Sequence, residues 1–341
     1  MRNLTLFVPG LLGPDTYYSD DFSPKLDALE SVLSRSKHTR QNTTSLFRAL
    51  TDLSRIPLDP LQDVPVAAFT RLLDDNERPQ GVWMRADPVH LRPDRDGLLL
   101  MDSFVLGLSQ HDALAIATEV NKVLSHYGWV LEVPYEDRWY IRMDKAPDLT
   151  TTELPAMISK DIRHHLPQGK DAAHFHNLLN EIQMQLFACD VNQLRESKGE
   201  LPVNSVWFWG LGSLPENVRW DWSVVYSDDV FVRGLAVLAD TPCHAVPPGF
   251  DTVFANTHEQ ENVLVVLQHC QAPAQYQNMM LWHQALELLE NGWFKSIHEH
   301  LHWQQLHNVH IVTEGHRFST SWLGKKRFWR KPRSPGSYRN A

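Results

Sequence analysis

Val263-Leu264-Val265-Val266-Leu267 reads as a strand, Val309-His310-Ile311-Val312-Thr313 reads as another, and helical spacing runs from Met279 to Leu301 between them. Strand, helix, strand is the repeating unit of a parallel sheet, because parallel neighbours need a crossover that brings the chain back to the same end. The alternation extends upstream through a strand at Ser205–Trp209, a helix at Ser227–Leu238, a strand near Cys243–Val246 and a helix near Thr257–Asn262. At the start, Met1-Arg2-Asn3-Leu4-Thr5-Leu6-Phe7-Val8 reads as a first strand, broken by Pro9-Gly10 too soon for the apolar core of a signal peptide. The expected fold class is α/β: a mainly parallel sheet flanked by helices, with both faces covered.

The middle of the chain has another character. Ser109 to Ser125 opens on a capping residue and carries Ala113, Ile116, Ala117, Val120, Val123 and Leu124, an amphipathic helix. Trp129–Val133 and Trp139–Met143 flank Pro134-Tyr135-Glu136-Asp137-Arg138 as a hairpin, and 172–198 reads as one long helix. This block is expected to be an inserted α+β lobe at 109–199. It would interrupt a discontinuous core at 1–108 and 200–322, with a basic tail at 323–341.

The 341 residues carry a net charge of −9 and are 43% hydrophobic, enough apolar matter to exclude wholesale disorder. Three cysteines cannot build a disulfide framework, which points to reduced thiols and a cytoplasmic setting. No apolar run approaches the ~18–20 residues of a membrane span. From Phe318 onward, Lys325, Lys326, Arg327, Arg330, Lys331, Arg333 and Arg339 meet no acid, and Phe328 and Trp329 lie among them. Such an arm suits an anionic surface, but the acidic body argues against a general nucleic-acid protein.

Several patterns could carry chemistry. Val8-Pro9-Gly10-Leu11-Leu12-Gly13 lacks the Lys-Ser/Thr pair of a phosphate loop. Trp207-Phe208-Trp209-Gly210-Leu211-Gly212 is a strand ending in two glycines, which lets backbone approach a ligand at a sheet edge or simply turns the chain. Arg85 offers a fork for phosphate or carboxylate and Asp87 and His90 could do acid/base work, although an Arg–Asp pair fixing a loop explains the same residues. His298 and His302 share a helix face at a spacing that metals use, within a segment rich in histidine.

At these residues the chain resembles the archaeal-type cofactor-independent phosphoglycerate mutases of the alkaline phosphatase superfamily. It looks closer still to their bacterial relatives, the RpfE-type regulatory proteins. Val191-Asn192-Gln193-Leu194-Arg195, then Gly199, Pro202 and Asn204, then Trp207 to Gly212, is similar to the mutase run vN-x-x-R…Gk-x-pAN-x-iWlWGxG. Arg85-Ala86-Asp87-Pro88-Val89 is similar to the RcNlV strand, and Val246-Pro247-Pro248-Gly249 with Asp251-Thr252 to the VPGatG…dT stretch. The resemblance implies an alkaline-phosphatase-like core with an inserted lobe. In active members it implies two divalent metals, usually manganese or zinc, and a serine that accepts the phosphoryl group.

Carried over one position at a time, the implied ligands are missing. The first Asp of the iPDGmgD turn falls on Gly10. The Asp and His of the apDeagH segment fall on Ala274 and Asn278, since Gln271-Ala272-Pro273 matches its start. The Asp of the vTxDH segment falls on Gly315, while His316 is kept; matching Asp63-Val64 to the SDva step puts the serine at Gln62. A hard dication needs anionic or imidazole donors, which glycine and alanine lack. The expectation is a pseudoenzyme with no cofactor, keeping Arg85, His90, Arg195, Trp207, Trp209, Gly210 and Gly212 on the ligand side of the family's cleft. Its partner would be a small anionic, phosphorylated ligand or a protein. The alternative is an active Mn²⁺ or Zn²⁺ phosphotransferase whose His269, His298, His302, Glu314 and His316 regroup as a new site.

Overall fold

The computed structural model describes every residue except 1, 15–23, 42–44, 55, 57, 60, 76–77, 96, 217, 219, 259–260, 328 and 340–341. The chain opens with β1 (Arg2–Phe7), α1 (Asp27–Arg35), β2 (Lys37–Arg40) and α2 (Leu46–Leu53). It continues through α3 (Val66–Asp74), β3 (Val82–Asp94), β4 (Gly97–Met101), α4 (Ser103–Leu106), α5 (Gln110–Leu124), β5 (Leu131–Tyr135) and β6 (Arg138–Met143). Next come α6 (Leu154–Met157), α7 (Ala172–Phe187), α8 (Asp190–Ser197) and β7 (Ser205–Gly212). The last stretch holds β8 (Val224–Tyr226), α9 (Val230–Leu238), β9 (Cys243–His244), α10 (Phe250–Ala255) and β10 (Asn262–Val266). It ends with α11 (Gln271–Gln275), α12 (Met279–Leu289), α13 (Lys295–His302), β11 (Leu306–Thr313) and β12 (His316–Ser321). These elements form two units, Met1–Ile56 with Asn217–Ala341, and Pro57–Glu216.

The first unit is built on a seven-stranded sheet ordered β2-β12-β11-β1-β10-β8-β9. The five strands from β11 to β9 are parallel and β12 runs against β11. The class read from the alternation of strands and helices is therefore the class observed. Leu4 and Leu6 of β1, Val263 and Val265 of β10 and Val309 and Ile311 of β11 bury one face against Leu29, Trp282, Leu286 and Ile297. The helical stretch 279–301 is not continuous: a single π turn, Glu290–Phe294, separates α12 from α13. That turn carries Glu290 inward, where its carboxylate accepts the N–H groups of Ala28 and Leu29 at 2.8 and 2.9 Å. A carboxylate on the free donors of the first turn of α1 also faces the positive end of the helix dipole. Of the expected helix near Thr257–Asn262, residues 259–260 lie outside the described residues; α10 ends at Ala255, Thr257, His258 and Glu261 are not helical, and Asn262 belongs to β10.

The C-terminal segment is part of this unit. Arg327 donates to the carbonyl of Arg35 at 3.0 Å, and Arg330 to those of Ser36 and Ser34 at 2.7 and 3.3 Å. Guanidinium groups on the last carbonyls of α1 satisfy orphan acceptors and meet the negative end of the dipole. Tyr338 packs edge-on against Phe318, centroids 5.1 Å apart. The stretch read as a solvated basic arm is thus docked at these points, while Phe328 lies outside the described residues.

The second unit is an antiparallel sheet ordered β4-β3-β6-β5, with β7 paired to the other side of β3. Its bounds exceed the 109–199 lobe because β3 and β7, one on each side of that block, are hydrogen-bonded partners from Trp83↔Gly212 to Val89↔Ser205. Alternation sorts the faces. Met84, Ala86, Trp139, Ile141 and Phe208 pack on α5 and α7 through Ile116, Val120, Phe175 and Ile182. Trp83 and Tyr140 pack on Ala67 of α3. Ser109 caps α5 through Asp112 N–H at 3.1 Å, as its position suggested. The predicted long helix 172–198 breaks at Cys189, whose extended backbone (ψ 135°) starts α8 as a separate helix. No described helix is long and apolar enough to cross a membrane.

Acid should destabilise the first unit through its histidines. Burial, followed by Arg317, pushes His310 down from 6.5 to about 4, and burial, followed by His38, Arg40 and Arg339, does the same to His316. Between those values the unfolded chain binds protons that the folded chain does not, so stability is full above pH 6.5 and falls as pH drops toward 4. Each histidine contributes a slope of about 1.4 kcal/mol per pH unit at most. In urea titrations across that window, His310→Gln is expected to remove one such increment; an unchanged slope would show that His310 titrates normally in the folded protein.

Candidate functional site

In the second unit, the strand pairing sets Arg85 opposite Trp209 and Asp87 opposite Trp207. The Arg85 guanidinium donates to Asp87 Oδ1 at 2.8 Å and to the Asp137 carbonyl at 3.0 Å, and lies 5.3 Å from the Trp209 ring. Asp87 is 1% exposed and also accepts from Trp139 N–H at 3.0 Å and Trp209 Nε1–H at 2.7 Å. Burial raises the Asp87 carboxyl above the ordinary range against the opposing pull of Arg85 and both N–H donors. Tyr140 hydroxyl donates to Asp74 at 2.6 Å beside this pair, and burial raises it as well. A Cβ at Gly210 would meet Val66 at 3.0 Å and one at Gly212 would meet Pro65 at 2.8 Å. The two glycines therefore admit the start of α3 rather than a ligand.

The most distinctive sequence run does similar work. Asn192 donates to the carbonyls of Leu186 and Val203 and accepts from Val203 N–H, standing in for a backbone partner. Asn204 pairs both ways with Leu91 at 2.7 and 2.9 Å. Arg195 is 2% exposed, with its donors on Asp112 at 3.2 Å, the Leu106 carbonyl at 2.6 Å and the Leu201 carbonyl at 3.0 Å, and Glu200 at 3.2 Å. His90 Nδ1 sits 2.9 Å from the Pro202 carbonyl, and Trp207 Nε1 donates to the Thr152 carbonyl at 2.8 Å. Arg85, Asp87, Trp207 and Trp209 come together on one face; His90 and Arg195 are held elsewhere in the unit.

Gln62, matched to the nucleophile, lies in the second unit; the positions matched to metal ligands lie in the other unit, beyond the carboxyl ends of β1, β10 and β11, where parallel α/β sheets place their ligands. Gly10 has φ +74°. Its N–H donates to the Glu314 carboxylate at 3.1 and 3.3 Å, and its carbonyl accepts from Trp282 Nε1 at 2.9 Å. A Cβ on Gly10 would overlap the Cys270 carbonyl and lie 3.0 Å from Ala274 Cβ. Asn278 spends its side-chain oxygen on Leu281 N–H as the cap of α12. Gly315 takes φ +72° in the two-residue turn between β11 and β12. His316 is 8% exposed and bonded to His38 at 2.9 Å, ring stacked on ring.

A two-metal centre needs several anionic or imidazole donors converging on each ion. Gly10, Ala274 and Gly315 bring none, Asn278 is committed to a helix end, and the Glu314 carboxylate also accepts from Thr313 at 2.6 Å. Among the described residues no three or more His, Cys, Asp or Glu are grouped to hold a metal. The residues present do not fit the pair of dications. Nor do the alternative ligands regroup as a set: His298 and His302 share one pocket, with His298 facing Ser31 at 3.3 Å, while His316 faces His38 and Glu314 holds Gly10. Sequence reasoning missed the role of Glu314 as the acceptor that closes this edge; its place directly before the turn glycine was the available signal. It also missed Asp87 as the hub of the buried cluster, which the alternation of β3 would have placed on the face of Arg85.

No protein-family model matches the chain. A 2,3-bisphosphoglycerate-independent phosphoglycerate mutase of Methanothrix thermoacetophila is 26% identical over 164 residues, 46% of this chain and 41% of the relative. A probable enzyme of the same name from Geobacter sulfurreducens is 27% identical over 167 residues, with the same shares. The match thus spans about two fifths of the length of these curated relatives. A shorter match, 39% over 57 residues, links the chain to the Methanosarcina barkeri mutase. A solved Pyrococcus horikoshii protein shares the fold at TM-score 0.55, 11% identity, and 94% and 87% coverage of the two chains. The cofactor-independent phosphoglycerate mutase of Thermoplasma acidophilum aligns at TM-score 0.42 and 14% identity over 93% and 89%. The relatives of this α/β protein are phosphoglycerate-mutase-like.

Proposed function

We propose that this chain is a catalytically degenerate phosphoglycerate-mutase-like protein that acts by binding, in a regulatory role of the RpfE type. One observation carries the reading: main chain and a carboxylate–amide bond occupy the edge where the mutase resemblance implies metal ligands, with Glu314 on Gly10 N–H and Cys270 where a side chain at Gly10 would go. Arg85 is paired with Asp87 and Arg195 with Asp112, so neither guanidinium is free for a phosphorylated ligand in the second unit, which leaves a protein partner as the preferred reading there. Purified protein is expected to carry substoichiometric Mn and Zn and to leave 3-phosphoglycerate unconverted when either metal is added. Stoichiometric metal, with mutase or phosphatase turnover that a chelator removes, would reverse the assignment.

A further inference from the structure

The first unit carries a second polar feature, on the sheet face opposite the apolar cluster around Leu4 and Leu6. Register places Asn3 between Asn262 and Asn308, and Thr5 beside His310. The three asparagines join across three strands, Asn3 to Asn262 at 2.9 Å and Asn308 to Asn3 at 3.1 Å. Central strands of a parallel sheet are ordinarily apolar on both faces, so a polar row there calls for a reason beyond folding.

A cavity of about 370 Å³ lies on this row, within the ordinary size of a small-molecule site. Two residues that line it bear buried polar atoms without a hydrogen-bond partner, Gln41 Oε1 and Trp222 Nε1. Leaving a buried donor or acceptor unpaired costs its full desolvation, so native proteins seldom keep two at one place without use. Arg317 also lines the cavity, and among the described residues its guanidinium has no ion-pair partner; burial lowers its pKa. Exposed Asp52 and Asp221 line the same space. They disfavour a second negative charge on whatever Arg317 attracts, which favours a monoanion over a phosphate dianion.

We propose that this cavity binds a small hydroxylated carboxylate of the sugar-acid class, its carboxylate on Arg317 and its hydroxyls against the asparagine row, Gln41 and Trp222. The site is separate from the proposed loss of metal ligands and stands whether or not that reading does.

The test is calorimetry on the full chain with three probes: gluconate, which has carboxylate and hydroxyls; glucose, which has only hydroxyls; and inorganic phosphate, which has only the anion. Gluconate is expected to bind at least about tenfold more tightly than either of the others. Arg317→Met should weaken gluconate by about tenfold or more while raising the melting temperature of the free protein, because it removes an uncompensated half-buried charge. Trp222→Phe should weaken gluconate with little change in melting. Gluconate no tighter than glucose, phosphate tighter than gluconate, or unchanged affinity in both variants would overturn the proposal. An Arg317→Met protein that melts lower would also count against it, by making Arg317 a structural residue.

Discussion

Asp87→Ala is expected to destabilise the second unit by about 3–5 kcal/mol, the cost of removing one partner from a buried ion pair. Three groups lose their acceptor at once: Arg85, Trp139 N–H and Trp209 Nε1–H. Arginine cannot shed its charge in a protein, so Arg85 would stay ionised in a place where it is 5% exposed. The reciprocal change, Arg85→Met, should cost less. Burial already raises the Asp87 carboxyl, and without Arg85 it can take up a proton and remain hydrogen-bonded to both tryptophan donors. Denaturant titration read by tryptophan fluorescence checks the order, since Trp139, Trp207 and Trp209 all lie in this unit. A larger loss for Arg85→Met than for Asp87→Ala would show that the carboxylate is not the hub.

That asymmetry bears on what a sequence can reveal. Arg85 was read as a ligand residue because an arginine fork suits anions, and Arg195 because the mutase resemblance put it on the cleft side, but the same fork binds carboxylates and carbonyls inside the fold. Asp87 lies two residues from Arg85 and shares its strand face, so the pair was open to the reading of a loop-fixing ion pair. Asp112 and Glu200, which neutralise Arg195, were not visible as its partners, because they come from other elements. Elements with strong local signals were legible: the capped helix α5, the hairpin of β5 and β6, and the apolar strands β10 and β11. Elements whose ends depend on distant packing were not. The π turn at Glu290–Phe294 exists where Glu290 meets the start of α1 and Gly292 lies against the backbone of Pro248 and Gly249, and helical spacing carries no trace of either. β12 was not read as a strand because its polar residues, Arg317, Ser319 and Ser321, alternate without an apolar run, although Phe318 is fully buried.

The position that the mutase resemblance singles out first gives the second large expected effect. Gly10→Asp restores the family's aspartate in name, yet it is expected to lose about 3 kcal/mol or more of stability and to gain no metal. A left-handed backbone costs a non-glycine residue about 1–3 kcal/mol. The new Cβ overlaps the Cys270 carbonyl, which is main chain and cannot swing aside like the end of a side chain. The added carboxylate would also stand beside that of Glu314, which already holds the Gly10 N–H. Gly10→Ala separates these contributions: it carries the steric and backbone cost alone, and the further loss in Gly10→Asp should shrink at high salt and at acid pH, where like charges are screened or protonated. Denaturant midpoints for both variants and elemental analysis after Mn²⁺ loading decide it. A Gly10→Asp protein as stable as the parent and holding stoichiometric manganese would mean that the edge of β1 is still a metal site short of one ligand, and would overturn the reading that this edge is closed by main chain and Glu314.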